Sequence, residues 1–289
     1  MTFSKLVEHV LRVKISCRRR TFREIVQYMR RIEAMFPNFG ANGVSALSSE
    51  ECAEVVEACW QTPATRNKAR RILHSIFAHA IQRGWAEKNP LDGVARESVR
   101  ERRVYPLTLD QVRRLLRVVI RPEHSCCAPA VGLMLWAGIR PNEVERLRWT
   151  DIRAEHNAIV LTAEHTKTGG ARQVTLHPIL LEWLKKTPWL GMLNSRITPR
   201  AWGRRWKEIR LLAGFKKWSP DTLRHTFASY HILKFRDFAQ LQLEMGHAST
   251  DLLRTRYISL DDITQADADV FWGSLSRLLA EPRKTDLDE

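Results

Sequence analysis

Residues 137–152 read AGIRPNEVERLRWTDI, and they overlap the end of an apolar run that begins at residue 128. The run is apolar enough to predict a buried helix. Arg140 comes where that helix should end, and Glu143 follows three residues later. The two residues can form an ordinary structural ion pair, or Glu143 can hold Arg140 ready for an anionic ligand.

Four further motifs follow along the chain: HTKTGGARQVTLHP (165–178), TLRHTFASYH (222–231), MGHAST (245–250) and RTRYISL (254–260). Taken singly, the polar residues in them have structural explanations. Arg224 can pair with Asp221 one helical turn earlier. His247 can cap a helix after its glycine, and Tyr257 can be an interface aromatic. Taken together, these explanations require a coincidence in each of five motifs.

The five motifs, in this order, resemble the tyrosine recombinase family, also called the phage integrase family. The resemblance implies a mostly α fold with a small β-sheet (α+β), in which a helical N-terminal core-binding domain and a mixed catalytic domain form a C-shaped DNA clamp. It also implies a catalytic set with Glu143 as the supporting acid. The other members of that set are Tyr257, Arg140, Arg224, Lys167 and His247.

These residue types suit the chemistry that the resemblance implies. Arg140 and Arg224 can donate paired hydrogen bonds to a phosphodiester and keep their charge. His247 adds a donor, and Tyr257 attacks to form a 3′-phosphotyrosine once its phenol, with a pKa of about 10, has lost its proton. Lys167 on a hairpin is a suitable general acid for the departing 5′-oxygen. We expect no cofactor and no metal in this scheme.

One position departs from the family's pattern. The second motif usually begins with a histidine three residues before its arginine, and here that residue is Asp221. A carboxylate can accept a proton or a hydrogen bond, but it adds no positive charge near a phosphate. We expect Asp221 to act as a base, to orient Arg224, or both. The interval from His247 to Tyr257 is ten residues, one more than in most members.

The charge of the chain indicates a polyanionic partner. There are 47 Lys and Arg against 32 Asp and Glu, which gives a net charge of +15 and a pI of about 10.1. The net charge is +7 over residues 1–100 and +13 over residues 101–260, and it changes to −5 over residues 261–289. Because both of the first two segments are basic, we favour a protein that binds a DNA duplex from both sides. The alternative is a basic surface that serves only solubility.

The first hundred residues have the pattern of a helical module. Capping signals at Thr21, Ser48 and Thr62 each precede a helical pattern. The helix after Thr62 carries four cations near its start: Arg66, Lys68, Arg70 and Arg71. A solvated basic face would give the same pattern. In a region with a net charge of +7 we expect these cations to contact DNA phosphates.

The patterns divide the chain into a helical core-binding domain (1–92), a linker (93–107), a catalytic domain (108–260) and an acidic tail (261–289). A capping pattern at Thr108 starts the catalytic domain. Two β-like runs, 157–162 and 172–177, predict a hairpin. In the tail, residues 266–279 predict one helix with an apolar face. We expect this helix to donate Trp272 and Leu275 to a neighbouring protomer; the alternative is packing on its own domain.

The expected partner is double-stranded DNA with inverted-repeat half-sites, and the resemblance implies a homodimer per site and a tetramer in synapse. The five cysteines are odd in number and lack zinc-site spacing, which predicts a reduced, metal-free protein in the cytoplasm, associated with the nucleoid. No segment predicts a membrane helix or a signal peptide. Two alternatives are a type IB topoisomerase, which uses the same chemistry, and a catalytically impaired DNA-binding regulator, which Asp221 would favour.

Overall fold

The computed structural model describes residues 1–13, 19–99, 104–166, 170–187, 195–246 and 262–280. The chain divides into two compact units, residues 1–101 and 102–289, and each has its own hydrophobic core. The division falls within the range that the sequence assigns to a linker. No helix in the described ranges combines the length and the apolar character needed to cross a membrane.

The described part of the first unit contains four α-helices: α1 (Phe3–Val13), α2 (Arg19–Met35), α3 (Ser49–Cys59) and α4 (Pro63–Gln82). The predicted caps at Ser48 and Thr62 are confirmed, because each hydroxyl accepts a backbone N–H three residues on, at 3.1 Å and 3.3 Å. The cap predicted at Thr21 is wrong, since the two residues before it are already helical. α1 packs on α4, where the ring centroids of Phe3 and Phe77 lie 5.5 Å apart.

Part of the predicted linker is fixed to α4. After a short 3-10 turn at Pro90–Gly93, Asn67 of α4 holds Glu97 through two hydrogen bonds. The Asn67 amide donates to the Glu97 carbonyl at 2.8 Å, and the Glu97 N–H donates to the Asn67 side-chain oxygen at 3.0 Å. The first unit therefore extends past the predicted boundary at residue 92.

The second unit is mixed. Its described part contains nine α-helices and three strands: α5 (Leu109–Val119), α6 (Ala128–Trp136), α7 (Pro141–Val144), β1 (Ile152–Arg153), β2 (Ala158–Leu161), β3 (Arg172–Thr175), α8 (Pro178–Lys186), α9 (Trp202–Leu212), α10 (Thr222–Phe235), α11 (Phe238–Met245), α12 (Gln265–Phe271) and α13 (Leu275–Leu279). The predicted fold class, mostly α with a small β-sheet, is confirmed.

Two buried helices form the centre of the second unit. Every residue of α6 is buried, as its uninterrupted apolar sequence predicts, and α10 is buried from Thr222 to Ile232. The indole of Trp183 on α8 donates to the Ala128 carbonyl at the start of α6, at 2.7 Å. The predicted cap at Thr108 of α5 is also present. The C-terminal end of α6 and the N-terminal end of α10 determine where the neighbouring residues Arg140 and Asp221 lie.

The three strands form an antiparallel sheet in the order β1-β2-β3. β2 and β3 are the two predicted strands, and they pair with Ile159 opposite Val174 and Leu161 opposite Arg172. The side chains of Ile159, Leu161 and Val174 are buried in the core of the unit. The sheet therefore fixes both ends of the hairpin that carries Lys167.

The tail contains two short helices where the sequence predicts one over 266–279. α12 ends at Phe271, and α13 begins at Leu275 after Gly273. Ser274 starts the second helix by accepting the Arg277 backbone N–H on its hydroxyl, at 3.3 Å. The apolar periodicity continues across this break, so it did not reveal the interruption.

Trp272 and Leu275, which the sequence analysis assigns to a neighbouring protomer, pack in their own unit. Leu275 is 2% exposed, and the Trp272 indole donates to the Tyr230 carbonyl at 3.0 Å. This is the self-packed alternative. An exchange between protomers would have to break these contacts first.

Candidate active site

Arg140 lies where the backbone turns out of the core after α6. Gly138 has a φ of 57°, a left-handed conformation that glycine adopts without a steric penalty. A Cβ at this position would overlap the ring of Phe227 on α10. Because the turn leads away from the core, the Arg140 side chain is 32% exposed.

Glu143 is buried between two arginines. Its carboxylate accepts from Nη1 of Arg140 at 3.1 Å, and from Nη1 and Nη2 of Arg172 at 3.2 Å and 2.6 Å. Burial would raise the pKa of the Glu143 carboxyl, but hydrogen bonding and positive charge from Arg172 and Arg140 outweigh it, so this pKa lies below its ordinary value. Glu143 is therefore ionised at neutral pH and holds both arginines.

Arg224 is the third residue of α10 and is 1% exposed. Its two terminal nitrogens donate to the backbone carbonyls of Gly138 and Met245. A guanidinium keeps its charge in proteins, so a buried one needs such acceptors. Arg224 thereby joins the turn before Arg140 to the last residue of α11.

Three consecutive backbone carbonyls at the C-terminal end of α11 each accept from a different arginine. The pairs are Glu244 O with Arg172 Nε at 2.7 Å, Met245 O with Arg224 Nη2, and Gly246 O with Arg140 Nη2 at 3.5 Å. The last carbonyls of a helix lack partners inside it, and its C-terminus is partly negative, so cations are stabilised there. We call Arg140, Arg172 and Arg224 in this arrangement the arginine cluster.

The arginine cluster can bind an anion. It contains three guanidinium groups, and Glu143 is the one carboxylate that bonds to them among the described residues. Arg140 is its most exposed member, and the 3.5 Å distance to Gly246 O is long for a hydrogen bond. Arg140 can therefore exchange this acceptor for the oxygen of an anionic group such as a phosphate.

Asp221 directly precedes α10 and is half-buried. Its backbone carbonyl accepts from the His225 N–H at 2.9 Å, and its side chain makes no capping hydrogen bond. A carboxylate is favourable at the N-terminal end of a helix. The position is compatible with both roles expected from the sequence, a base or a residue that orients Arg224.

The four cations on α4 differ in their surroundings. Three of them bind within their own unit: Arg66 to Glu97 at 2.7 Å, Lys68 to Glu24 at 2.8 Å, and Arg70 to the carbonyls of Val94 and Leu91 at 2.5 Å and 3.0 Å. Arg71 is exposed. The internal bonds hold the end of the first unit against α4. Phosphate binding by this face stays a prediction, and Arg71 is the member best placed for it.

Arg172 is the residue of the arginine cluster that the sequence analysis misses. It lies in the quoted hairpin motif, where the pattern indicates only a strand residue. Alternate residues of a strand share a face, so Arg172 lies on the same face as Val174 and Leu176, which are both buried. A charged residue on an otherwise buried face needs a partner, and that is the signal that could have identified it.

Lys167, His247 and Tyr257 lie outside the described residues, and their placement stays a prediction. The described chain reaches the residue before each of the first two. On the hairpin side, His165 is held by Asp151 at 3.4 Å and by the Thr162 N–H at 3.1 Å. On the other side, Gly246 directly follows α11 and caps its C-terminal end. The described residues just before Lys167 and just before His247 are thus both held by contacts in the second unit.

Residues 106–263 match the protein-family model described as the phage integrase family. The match covers more than half of the chain and includes all seven residues that the sequence assigns to catalysis. The chain belongs to the phage integrase family of tyrosine recombinases.

This phage integrase family member is similar to curated proteins over part of their length. Tyrosine recombinase XerC of Chlamydia muridarum (strain MoPn / Nigg) is 23% identical over 212 residues, covering 66% of each protein. A putative integrase of Pseudomonas phage Pf1 is 28% identical over 208 residues, covering 71% of this chain and 60% of that protein. The chain thus spans slightly less than two thirds of either relative.

A solved structure shares the fold of this phage integrase family member. It is a crystal structure of a lambda integrase (75–356) dimer bound to a COC′ core site. The similarity has a TM-score of 0.72 at 19% sequence identity, and it covers 91% of this chain and 96% of the other.

Proposed function

We propose that this protein is a site-specific DNA recombinase that cleaves and rejoins DNA strands through a 3′-phosphotyrosine intermediate on Tyr257, for integration, excision or inversion of DNA. The observation that carries the proposal is the arginine cluster. It brings the arginines of two separate motifs, Arg140 and Arg224, to consecutive carbonyls directly before His247. Membership of the tyrosine recombinase family supports the same type of reaction.

The reaction is a transesterification. Tyr257 loses its phenol proton, for which Asp221 is the proposed acceptor. Its phenolate oxygen bonds to the scissile phosphorus, and the bond from phosphorus to the 5′-oxygen breaks. Lys167 donates a proton to that oxygen, so that a free 5′-hydroxyl departs. Arg140, Arg224 and His247 donate to the non-bridging oxygens, on which charge develops. Attack by a 5′-hydroxyl of the partner strand then reverses these steps and releases the tyrosine.

The proposed substrate is double-stranded DNA with inverted-repeat half-sites. One protomer binds each half-site, which gives a dimer per site and a tetramer in synapse. The net charge of +15 supports a polyanionic partner. The similar lambda integrase structure is described as a dimer on a core site, which supports this arrangement.

A covalent-trapping assay tests the proposal. The probe is a nicked half-site, taken from inverted repeats in the DNA beside the gene, from which the cleaved 5′-hydroxyl strand diffuses away. We expect wild-type protein to accumulate a detergent-stable protein–DNA adduct that peptide mapping assigns to Tyr257. Tyr257→Phe should give no adduct, whereas the control Tyr105→Phe, at an exposed tyrosine of the same unit, should give the wild-type amount. An adduct that persists in Tyr257→Phe contradicts the proposal.

A relaxation assay separates a recombinase from a type IB topoisomerase. The substrate is a supercoiled plasmid without the inverted repeats. A site-specific recombinase should leave this plasmid supercoiled under conditions in which the half-site is cleaved. Efficient relaxation of this plasmid would instead indicate the activity of a type IB topoisomerase.

Asp221→His is expected to leave DNA cleavage intact or to raise it, because it restores the residue that the family usually carries. Asp221→Ala should slow cleavage by roughly 10²-fold, the low end of what a general base contributes, since it removes one proton acceptor but keeps the arginines. The measurement is the single-turnover cleavage rate on the half-site, with DNA binding followed by gel shift. An inactive His variant beside a fully active Ala variant would refute both roles proposed for Asp221.

A further inference from the structure

Two histidines and a glutamate from separate elements meet at one edge of the second unit's core. His177 directly precedes α8, His231 lies on α10 and Glu244 lies on α11. One ligand atom of each residue lies within 4.8 Å of the others, and Nε2 of His231 is 3.9 Å from the Glu244 carboxylate. His231 and Glu244 are 2% and 1% exposed, and His177 is half-buried.

Each of these side chains has a buried polar atom without a hydrogen-bond partner in the described parts of the chain. The atoms are Nε2 of His177, Nδ1 of His231 and Oε2 of Glu244. On His231 the nitrogen that faces Glu244 is Nε2, so Nε2 is its ligand atom and the unpartnered Nδ1 lies on the far side of the ring. Buried polar atoms are almost always satisfied in native proteins. The other oxygen of Glu244 is held by the Thr175 hydroxyl at 2.5 Å and by the Gln240 amide at 2.9 Å. The carboxylate is thus anchored through one oxygen, and the other faces His231.

We propose that His177, His231 and Glu244 bind one divalent first-row transition-metal ion, with zinc as the favoured ion. Two imidazoles and a carboxylate form a ligand set that zinc uses, with bonds of about 2.0–2.2 Å. A tetrahedral ion at these distances brings its ligand atoms to about 3.4 Å from one another, so the three side chains need to close by roughly an ångström. A water molecule on the half-exposed side of His177 would complete the coordination.

Aromatic side chains pack around both histidines. His177 stacks on Phe235 with the centroids 5.2 Å apart and lies 4.5 Å from the Trp272 ring, while His231 lies 4.8 Å from Phe235. Burial lowers the pKa of His177 and lowers that of His231 to about 4, against the opposing charge of Glu244.

A metal ion at this position would cross-link elements of the second unit. It would connect α10, α11 and the turn between β3 and α8. Glu244 also gives its backbone carbonyl to Arg172, so the ion would fix the end of α11 on which the arginine cluster forms. The sequence analysis, which weighs cysteine spacing, expects no metal. These ligands lie 54 and 13 residues apart and follow no short motif.

The test is the metal content of full-length, tag-free protein that has never contacted a metal-affinity resin. The protein is stripped with chelator, dialysed against buffer containing zinc or iron(II), and analysed by elemental mass spectrometry. We expect one equivalent of zinc in the wild type and a loss of nearly all of it in His231→Phe and Glu244→Gln. His156→Ala, which removes a histidine that is 72% exposed, is the matched control and should keep the full equivalent.

A second readout covers variants that fold poorly. Zinc at about 100 times its Kd should raise the wild-type Tm by about 5 °C or more, and chelator should reverse the shift. His177→Ala, at the half-exposed ligand, should fold and lose this shift, and cobalt(II) should give the absorption bands of a tetrahedral ion only in wild type and His156→Ala. Zinc content and Tm shifts that are unchanged in the ligand variants, or no bound metal in the wild type, would overturn the proposal. Preferential retention of iron(II) would overturn the assignment to zinc.

Discussion

Arg140→Ala and Arg224→Ala are each expected to lower the single-turnover rate of DNA cleavage by about 10²–10³-fold or more. Each guanidinium would donate to phosphate oxygens whose charge grows in the transition state, so its loss weakens the transition state more than the bound substrate. DNA binding should fall much less, because contacts to many phosphates hold the duplex. The measurement is cleavage of the nicked half-site at saturating protein, with a gel shift on the same DNA.

The two arginines need different controls because they have different structural roles. Loss of Arg224 leaves the buried carbonyls of Gly138 and Met245 without this donor, so a thermal melt must accompany each variant. Arg224→Lys keeps the charge but loses the planar fork of donors, and it should also cleave slowly. Arg153→Ala removes an exposed arginine of the same unit and should cleave at the wild-type rate. If a folded Arg140→Ala protein cleaves normally, Arg140 does not bind the reacting phosphate.

Combining the substitutions tests whether the two arginines act together. Residues that stabilise one transition state as a unit give losses that do not add. We therefore expect the Arg140→Ala, Arg224→Ala double variant to cleave only slightly more slowly than the slower single variant. Losses that multiply would indicate independent roles.

Sequence patterns predicted the parts of the fold that depend on neighbouring residues. The caps at Ser48, Thr62 and Thr108 each involve a hydrogen bond across three residues, and the apolar sequence of α6 is sufficient to predict its burial. The cap predicted at Thr21 fails for the same local reason, because a capping hydroxyl works only where the preceding residues are not helical. The prediction of a single helix in the tail is wrong because apolar periodicity does not detect the break at Gly273 or the new N-cap at Ser274.

The arginine cluster needed the tertiary structure. Glu143 and Arg172 are 29 residues apart, and no pattern within either segment specifies that they meet. Their contact depends on the register of β2 and β3 and on how the end of α11 packs against that sheet. The resemblance to a known family supplied Arg140 and Arg224, but it did not supply the carbonyls that hold them. Sequence reasoning therefore named the two arginines that we propose as catalytic and missed the third arginine of the cluster.

Glu143→Ala is expected to destabilise the second unit by about 3–5 kcal/mol, because it leaves a buried charge without its partner. Arg172 is 9% exposed and donates both terminal nitrogens to Glu143, so water cannot easily replace the carboxylate. Arg140 is less affected because its side chain is 32% exposed. The measurement is the free energy of unfolding from urea titrations, and Glu155→Ala is a control at an acid of the same unit that is 63% exposed.

A double-mutant cycle distinguishes the loss of a stabilising pair from the exposure of an unpaired charge. Replacing both Glu143 and Arg172 by Met should recover much of the stability lost in Glu143→Ala, because two apolar side chains need no desolvated charge. The pH dependence gives an independent check. The folded pKa of Glu143 lies below its unfolded value of about 4.3, so its stabilising contribution is complete above that pH and disappears as the pH falls through the folded pKa. Glu143→Gln should lack this acid-dependent loss. If Glu143→Ala unfolds like the wild type at neutral pH, the buried carboxylate does not hold the cluster together, and Arg172 must be stabilised mainly by the carbonyl of Glu244.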